Sequence, residues 1–213
     1  MAFVQTAYRE RPSDWILGQI ADTYRYDADT YIVDEAEGIP FAVGLRLQDD
    51  GGQKVLVGVR PNKFAGISVR DPGLDPADFD HYGFGRNVSC MNTGDIIVAP
   101  QSNVIAGMKA TVTWNGLFDA DKKTPAATAW AGAVAHSVGD LVSQSGQNYI
   151  CIRAHTSTGT NNVDGSPTSS NQTGWAPYFG FFSIPGAVWM TKASGGELAK
   201  LRLGSGNLNV IGQ

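Results

Sequence analysis

Apolar and β-branched residues recur along most of this chain in short alternating runs, each bounded by glycine, proline, aspartate or asparagine. A period of two puts one face of an extended strand in a core and the other in water, so the pattern predicts antiparallel sheet. Phe41 to Leu47 and Lys54 to Val59 flank Asp49-Asp50-Gly51-Gly52, whose residues tolerate positive φ and suit a hairpin turn. Further strands are predicted at Gly66–Arg70, Asn87–Met91, Asp95–Ala99, Lys109–Trp114, Ala187–Thr191 and Leu198–Leu203. Helical periodicity is nearly absent. The fold class is therefore all-β: an antiparallel β-barrel or sandwich with a small inserted β-domain. Asp71 to Asp80 breaks the pattern with two prolines and four aspartates and reads as an exposed loop. The first ~25 residues mix polar and aromatic positions without period, as an arm that orders against a neighbour would.

One block departs from this pattern. From Thr128 to Tyr178, 51 residues hold three charged side chains, Asp140, Arg153 and Asp164, and twenty Ser, Thr, Asn or Gln. Aromatics punctuate it at Trp130, Tyr149, Trp175 and Tyr178. Residues 128–179 read as an inserted module, and 1–127 with 180–213 as the discontinuous domain that carries it. A length of 213 residues suffices for two small cores.

Charge narrows the partners. A net charge of −4 and a charged fraction of 17% do not supply the concentrated Lys/Arg surface that phosphate backbones require, so nucleic acid is not expected. No run approaches the ~18 apolar residues that span a bilayer, and the N-terminus lacks the basic and apolar regions of a signal peptide. The expectation is a soluble protein made in the cytoplasm, with no membrane partner. Cys90 and Cys151 lie in different parts and offer neither metal-ligand spacing nor a disulfide framework, so both read as small buried hydrophobes.

Several runs, in order, resemble the phage structural cement, or capsid decoration, proteins. They are Ala2-Phe-Val-Gln-Thr-Ala-Tyr8, Gly18-Gln-Ile-Ala-Asp22, Phe64-Ala-Gly-Ile-Ser-Val-Arg-Asp-Pro72, Thr93-Gly-Asp-Ile-Ile-Val98, Val104-Ile-Ala-Gly-Met-Lys-Ala-Thr-Val112, Ile184-Pro-Gly-Ala-Val-Trp189 and Ala199-Lys-Leu-Arg-Leu203. The resemblance covers residues 1 to about 125 and 180 to 203. The family's usual Gly-Asp-Pro-Val turn reads Gly107-Met108-Lys109-Ala110 here. The resemblance implies a non-enzymatic virion protein on the outer capsid surface, bound to the phage major capsid protein as a dimer or trimer. Such a role needs rigid surfaces and strand edges and no catalytic pocket. Ordering an arm costs roughly 1–2 kcal/mol per residue, so it must bury apolar groups. Phe3, Val4, Tyr8 and Trp15 are the candidates for that capsid contact, packing onto their own subunit being the alternative.

The inserted block resembles small chitin-binding-type carbohydrate-binding modules through Ala129-Trp130, Val138-Gly-Asp-Leu-Val142, Gly146-Gln-Asn-Tyr-Ile-Cys-Ile-Arg-Ala-His-Thr-Ser157 and Trp175. His136 stands where a second aromatic is usual. Sugar recognition needs an aromatic face for the pyranose C–H side and hydrogen-bonding groups for its hydroxyls. The resemblance implies a host-surface glycan as a further partner. Trp130 and Tyr149 are candidate ligand residues but also the first choices for the module's own core. Trp175 and Tyr178, beside a Ser/Thr/Asn-rich loop, are the candidates for an exposed platform. His155 is expected to organise its loop through a local hydrogen bond.

No enzyme motif survives inspection. His81, His136 and His155 have no metal-ligand spacing, and a calcium loop starting at Asp27 fails at Ile32 and Gly38. Gly83-Phe-Gly85 and Gly204-Ser-Gly206 lack the third glycine of a nucleotide loop, and no Gly-x-Ser-x-Gly elbow occurs. No catalytic residue, metal site or cofactor is expected. The Asn87 and Asn171 sequons are chance matches without a secretory signal. The reading is a capsid cement protein displaying a glycan-binding module, the alternatives being a soluble lectin and a polysaccharide-degrading enzyme.

Overall fold

A computed structural model describes residues 15–48, 53–60, 63–71, 81–122, 126–131, 134–144, 147–151, 153–156, 175–178, 180–204 and 211–212. No helix occurs among them. The strands are β1 (Ile20–Val33), β2 (Ile39–Pro40), β3 (Gly44–Leu47), β4 (Lys54–Val57), β5 (Phe64–Ser68), β6 (His81–Tyr82), β7 (Asn87–Val98), β8 (Lys109–Thr113) and β9 (Phe118–Ala120). They continue with β10 (Thr128–Ala129), β11 (Ala135–His136), β12 (Leu141–Gln144), β13 (Gln147–Cys151), β14 (His155–Thr156), β15 (Trp175–Pro177), β16 (Phe181–Trp189), β17 (Ala199–Leu203) and β18 (Ile211–Gly212). The chain divides into two compact units, residues 1–122 with 182–212, and residues 123–181.

In the first unit, hydrogen bonding runs β1-β4-β3-β5-β7 and returns from β7 to β1, closing a five-stranded barrel. Closure removes the unpaired edges that an open sheet exposes. The period of two fills it: Leu45 opposes Val57 and Leu47 opposes Val55, while Arg46 and Leu56 alternate to the outside. Val33, Leu45, Val55, Val88 and Cys90 are fully buried there, and Tyr82 meets the Phe41 ring edge-on at 5.4 Å. β7 is shared. Beyond it the sheet continues through β17, β16, β8 and β9, where Val112, Phe118, Ile184, Trp189 and Leu201 are buried.

The β8–β9 turn locks back onto the barrel. Gly44 N–H donates to Gly116 O at 2.7 Å and Val59 N–H to Trp114 O at 3.0 Å. A Cβ at Gly116 would lie 2.5 Å from Gly44 O, and one at Gly58 2.5 Å from Trp114 O. Only glycine permits that approach.

The fold corrects several expectations. β1, fourteen residues long, begins inside the stretch read as an arm. Its alternation is hidden because most of its side chains outside the bulged middle are only partly buried or exposed, and its backbone pairing with β7 holds it in place. The two strands expected at Asn87–Met91 and Asp95–Ala99 are one, with Thr93-Gly94 lying at a register shift rather than in a turn. The strand expected from Phe41 starts only at Gly44, because Ala42 adopts φ 60°. Two pairings, β1–β4 and β10–β12, are parallel. Asp49 to Gly52 and 72–80 lie outside the described residues.

The second unit is small. Its four-stranded sheet runs β10-β12-β13-β15, with β11 and β14 paired separately. Val142 opposes Tyr149 and Cys151 opposes Trp175, so all four share the buried face, with Trp130 packed against them.

Candidate functional site

Trp175 is the centre of the second unit. His136 presents its ring to the indole at 4.9 Å and 71°, and His155 does so at 5.3 Å and 87°, both in the edge-to-face geometry that aromatic quadrupoles favour. The imidazoles are 5.9 Å apart. His155 Nδ1 lies 2.7 Å from the Arg153 carbonyl oxygen, to which Nδ1–H donates. This is a local bond of the kind expected of His155. The Cys151 thiol donates to the same carbonyl at 3.2 Å. Burial pushes that thiol up and outweighs a backbone hydrogen bond at Arg153 that favours the thiolate. Three buried polar atoms in this unit, Trp130 Nε1, His136 Nε2 and His155 Nε2, have no hydrogen-bond partner among the described residues.

The four candidate ligand residues are placed as follows. Tyr149 is 9% exposed, Trp175 and Tyr178 are each 8% exposed, and Trp130 is half-buried. An exposed platform at Trp175 and Tyr178 is thus corrected: both side chains are buried, as the core of so short a unit demands. His136, read as a departure from an aromatic pattern, is an edge-on partner of Trp175. Nothing in its sequence context marks that role. A cavity of about 520 Å³ lies on one side of His136, lined also by Thr128, Val134, Asp140 and Leu141.

Of the candidate capsid-arm residues, Phe3, Val4 and Tyr8 lie outside the described residues. Trp15 is half-buried, and Ile16 and Leu17 follow it exposed in a turn that Gln19 closes by donating its N–H to Ile16 O. Gly18 anchors that turn, donating to Ile97 O at 2.8 Å and accepting from Arg70 N–H at 2.8 Å.

The charged groups of the first unit are structural in their geometry. Asp95, 4% exposed, receives Arg202 Nε and Nη2 at 2.7 and 2.9 Å and lies 3.3 Å from Lys200 Nζ, tying β7 to β17. Burial alone would raise its pKa, but the Arg202 and Lys200 charges outweigh burial and hold it below the ordinary value. Asp119 gathers Ser102, Lys122 and the Ala120 N–H. Burial, with Asp29 adding to it, pushes the Cys90 thiol up to about 12. Among the described residues no three His, Cys, Asp or Glu side chains gather in a way that could hold a metal.

These features define a class: an all-β protein with a closed five-stranded barrel in one compact unit and a smaller four-stranded sheet in a second. The family model for structural cement proteins (E217 gp24/Pam3 gp6) matches residues 4–204, and the chain belongs to this phage family of capsid-associated structural proteins. A solved structure titled "The capsid of Myoviridae Phage XM1" is similar over 96% of this chain and 99% of its own, at 12% identity and a TM-score of 0.48. No curated protein matches.

Proposed function

We propose that this protein docks on the outer surface of the assembled major capsid protein lattice of a phage and reinforces it without catalysis, displaying the unit at 123–181 as an appendage. The observation that carries this reading is the family match over residues 4–204, on a closed barrel whose sheet continues beyond β7. A cement protein gains by being rigid before it binds, because little is then lost to ordering at the lattice. The lectin alternative draws on an aromatic platform, and the burial of Trp175 and Tyr178 takes that support away.

Co-sedimentation with expanded, undecorated capsids tests the reading. Saturable binding by the full chain, and by a version with residues 129–178 replaced by a short Gly-Ser linker, is the expected result. Absence of binding by the folded full chain would remove the capsid assignment. Binding lost only with the replacement would move the lattice contact to the inserted unit.

A further inference from the structure

The histidines show no metal-ligand spacing along the chain, but strand pairing in the second unit gives two of them a spacing that the sequence does not display. In the antiparallel pair of β11 and β14, His136 stands directly opposite His155. Side chains opposite one another in such a pair project from the same face, and these two rings have their centres 5.9 Å apart. Both meet the indole of Trp175 near a right angle, at 4.9 and 5.3 Å, so packing orients the rings before any ligand arrives.

The pair lacks a partner for its nitrogens. His136 is nine-tenths buried, and the Nε2 atoms of both rings are covered with no hydrogen bond among the described residues. A covered polar atom left unpaired destabilises a fold, so two of them on facing rings call for a shared partner. The other nitrogen of His155 says which kind. Its Nδ1–H is committed to the Arg153 carbonyl at 2.7 Å, the outer hydrogen bond that usually orients a metal-binding imidazole, and the Cys151 thiol lies beside that same Nδ1. Nε2 is left for a ligand.

An imidazole nitrogen binds a divalent transition metal at about 2.0–2.1 Å, so each ring centre lies about 3.2 Å from the ion and two rings on one ion are separated by about 5–6.4 Å, depending on the angle between them. The observed 5.9 Å falls inside that range. The cavity beside His136 offers a way in, and Asp140 in its wall supplies an acid, which favours a cation. We propose that His136 and His155 bind one divalent transition-metal ion of the kind imidazole suits, Zn²⁺ or Cu²⁺, through their Nε2 atoms, with water completing its coordination. Two side-chain ligands make this a site that fastens β11 to β14. Its occupancy is therefore coupled to folding of the inserted unit. The inference is independent of the capsid reading, and its test uses no capsids.

The full chain, without an affinity tag, is titrated with Zn²⁺ by calorimetry, and saturable uptake of one ion per chain is the expected result. His136→Phe and His155→Phe keep a ring against Trp175 and remove the nitrogen. Either should weaken uptake by more than the about tenfold that follows loss of an outer hydrogen-bond partner. His81→Ala, in the first unit, should bind as the unaltered chain does. Zn²⁺ should also raise the urea midpoint of the insert and leave that of the barrel in place, since it binds only the folded insert. Pulsed electron paramagnetic resonance of the Cu²⁺-loaded unaltered chain needs no variant to fold, and it should count two imidazoles on the ion. No uptake by the unaltered chain, undiminished uptake by either phenylalanine variant, an insert midpoint that Zn²⁺ does not move, or fewer than two imidazoles on Cu²⁺ would each overturn the proposal.

Discussion

The barrel unit and the inserted unit both bury apolar surface, but they distribute the burden differently. In the first, fully buried aliphatic residues line a closed ring at Val33, Leu45, Val55 and Val88, and others extend from Ile96, Ile97 and Val98 to Val112 and Leu201. Backbone bonds from Gly44 to Gly116 and from Val59 to Trp114 then fasten a distant turn onto the ring. In the second, among the described residues, Val142, Tyr149, Cys151 and Trp175 form a core cluster and two imidazoles meet its indole edge-on. Three of its buried polar atoms have no partner among the described residues, and each such group costs about 1–3 kcal/mol. Distributed packing tolerates the loss of one contact, whereas a core built on a single ring does not. The comparison implies that the barrel unit is the durable one and that the insert is marginal.

Truncations should separate the two units. Trp189 is fully buried and donates its Nε1–H to Asp119 O at 3.2 Å. Trp189→Ala should lower the stability of the first unit by about 4–5 kcal/mol, removing a large ring and leaving a carbonyl unpaired. Trp175→Ala should cost about 3 kcal/mol, nearly the whole stability of so small a unit. Urea unfolding with separate probes checks both. Trp175→Ala should abolish the transition of the insert and leave that of the barrel at its original midpoint. If both transitions shift together, the two units unfold as one and the contrast drawn above is wrong.

How far such a contrast can be read from sequence depends on which physical signal dominates locally. β3, β4, β8 and β17 announce themselves because one face is in a core, so apolar residues alternate. β1 does not, since Tyr26, Asp27 and Asp29 are exposed and backbone pairing with β7 holds the strand. Thr93-Gly94 looks like a turn and is instead a register shift inside a continuous strand, a distinction that depends on what β1 does opposite it. The core role of Trp175 is hidden for a related reason. A run of Ser, Asn, Gln and Thr precedes it in sequence, and its partners His136 and His155 are brought to it only by the pairing of β11 with β14 and of β13 with β15. Charge placement around the barrel is likewise invisible until strand order is known.

The electrostatic seam between β7 and β17 tests how much of the barrel's durability is apolar. Asp95 has a folded pKa below its ordinary value of about 3.9, so its stabilising effect is fully present above about pH 4 and is lost as pH falls through the lower folded value. Asp95→Asn should cost about 2 kcal/mol at pH 7, leaving Arg202 and Lys200 without their charge partner. Arg202 is half-exposed and can turn to water, which keeps the cost from being larger. Urea midpoints measured between about pH 7 and pH 2.5 should show the gap between variant and native protein closing below about pH 4. A gap that persists unchanged in acid would mean that packing, and not charge, accounts for it.

The smallest effect concerns the left-handed turn before β3. Ala42 holds φ 60°, a region costing an L-residue about 1 kcal/mol. Its surroundings hold it there: Ala42 N–H donates to Ser68 O at 2.9 Å, Val43 N–H donates to Ser68 Oγ at 3.0 Å, and Ser68 Oγ–H donates to Pro40 O at 2.7 Å. Glycine would relieve the strain but loses more freedom on folding, so the two terms nearly cancel. Ala42→Gly should therefore change stability by less than about 0.5 kcal/mol, while Ala42→Val, β-branched and poorly accommodated at positive φ, should lose about 1–2 kcal/mol. Urea midpoints for the pair, compared on the barrel transition, decide the matter. Equal effects of glycine and valine would show that the turn relaxes freely and that the Ser68 network is not what sets where β3 begins.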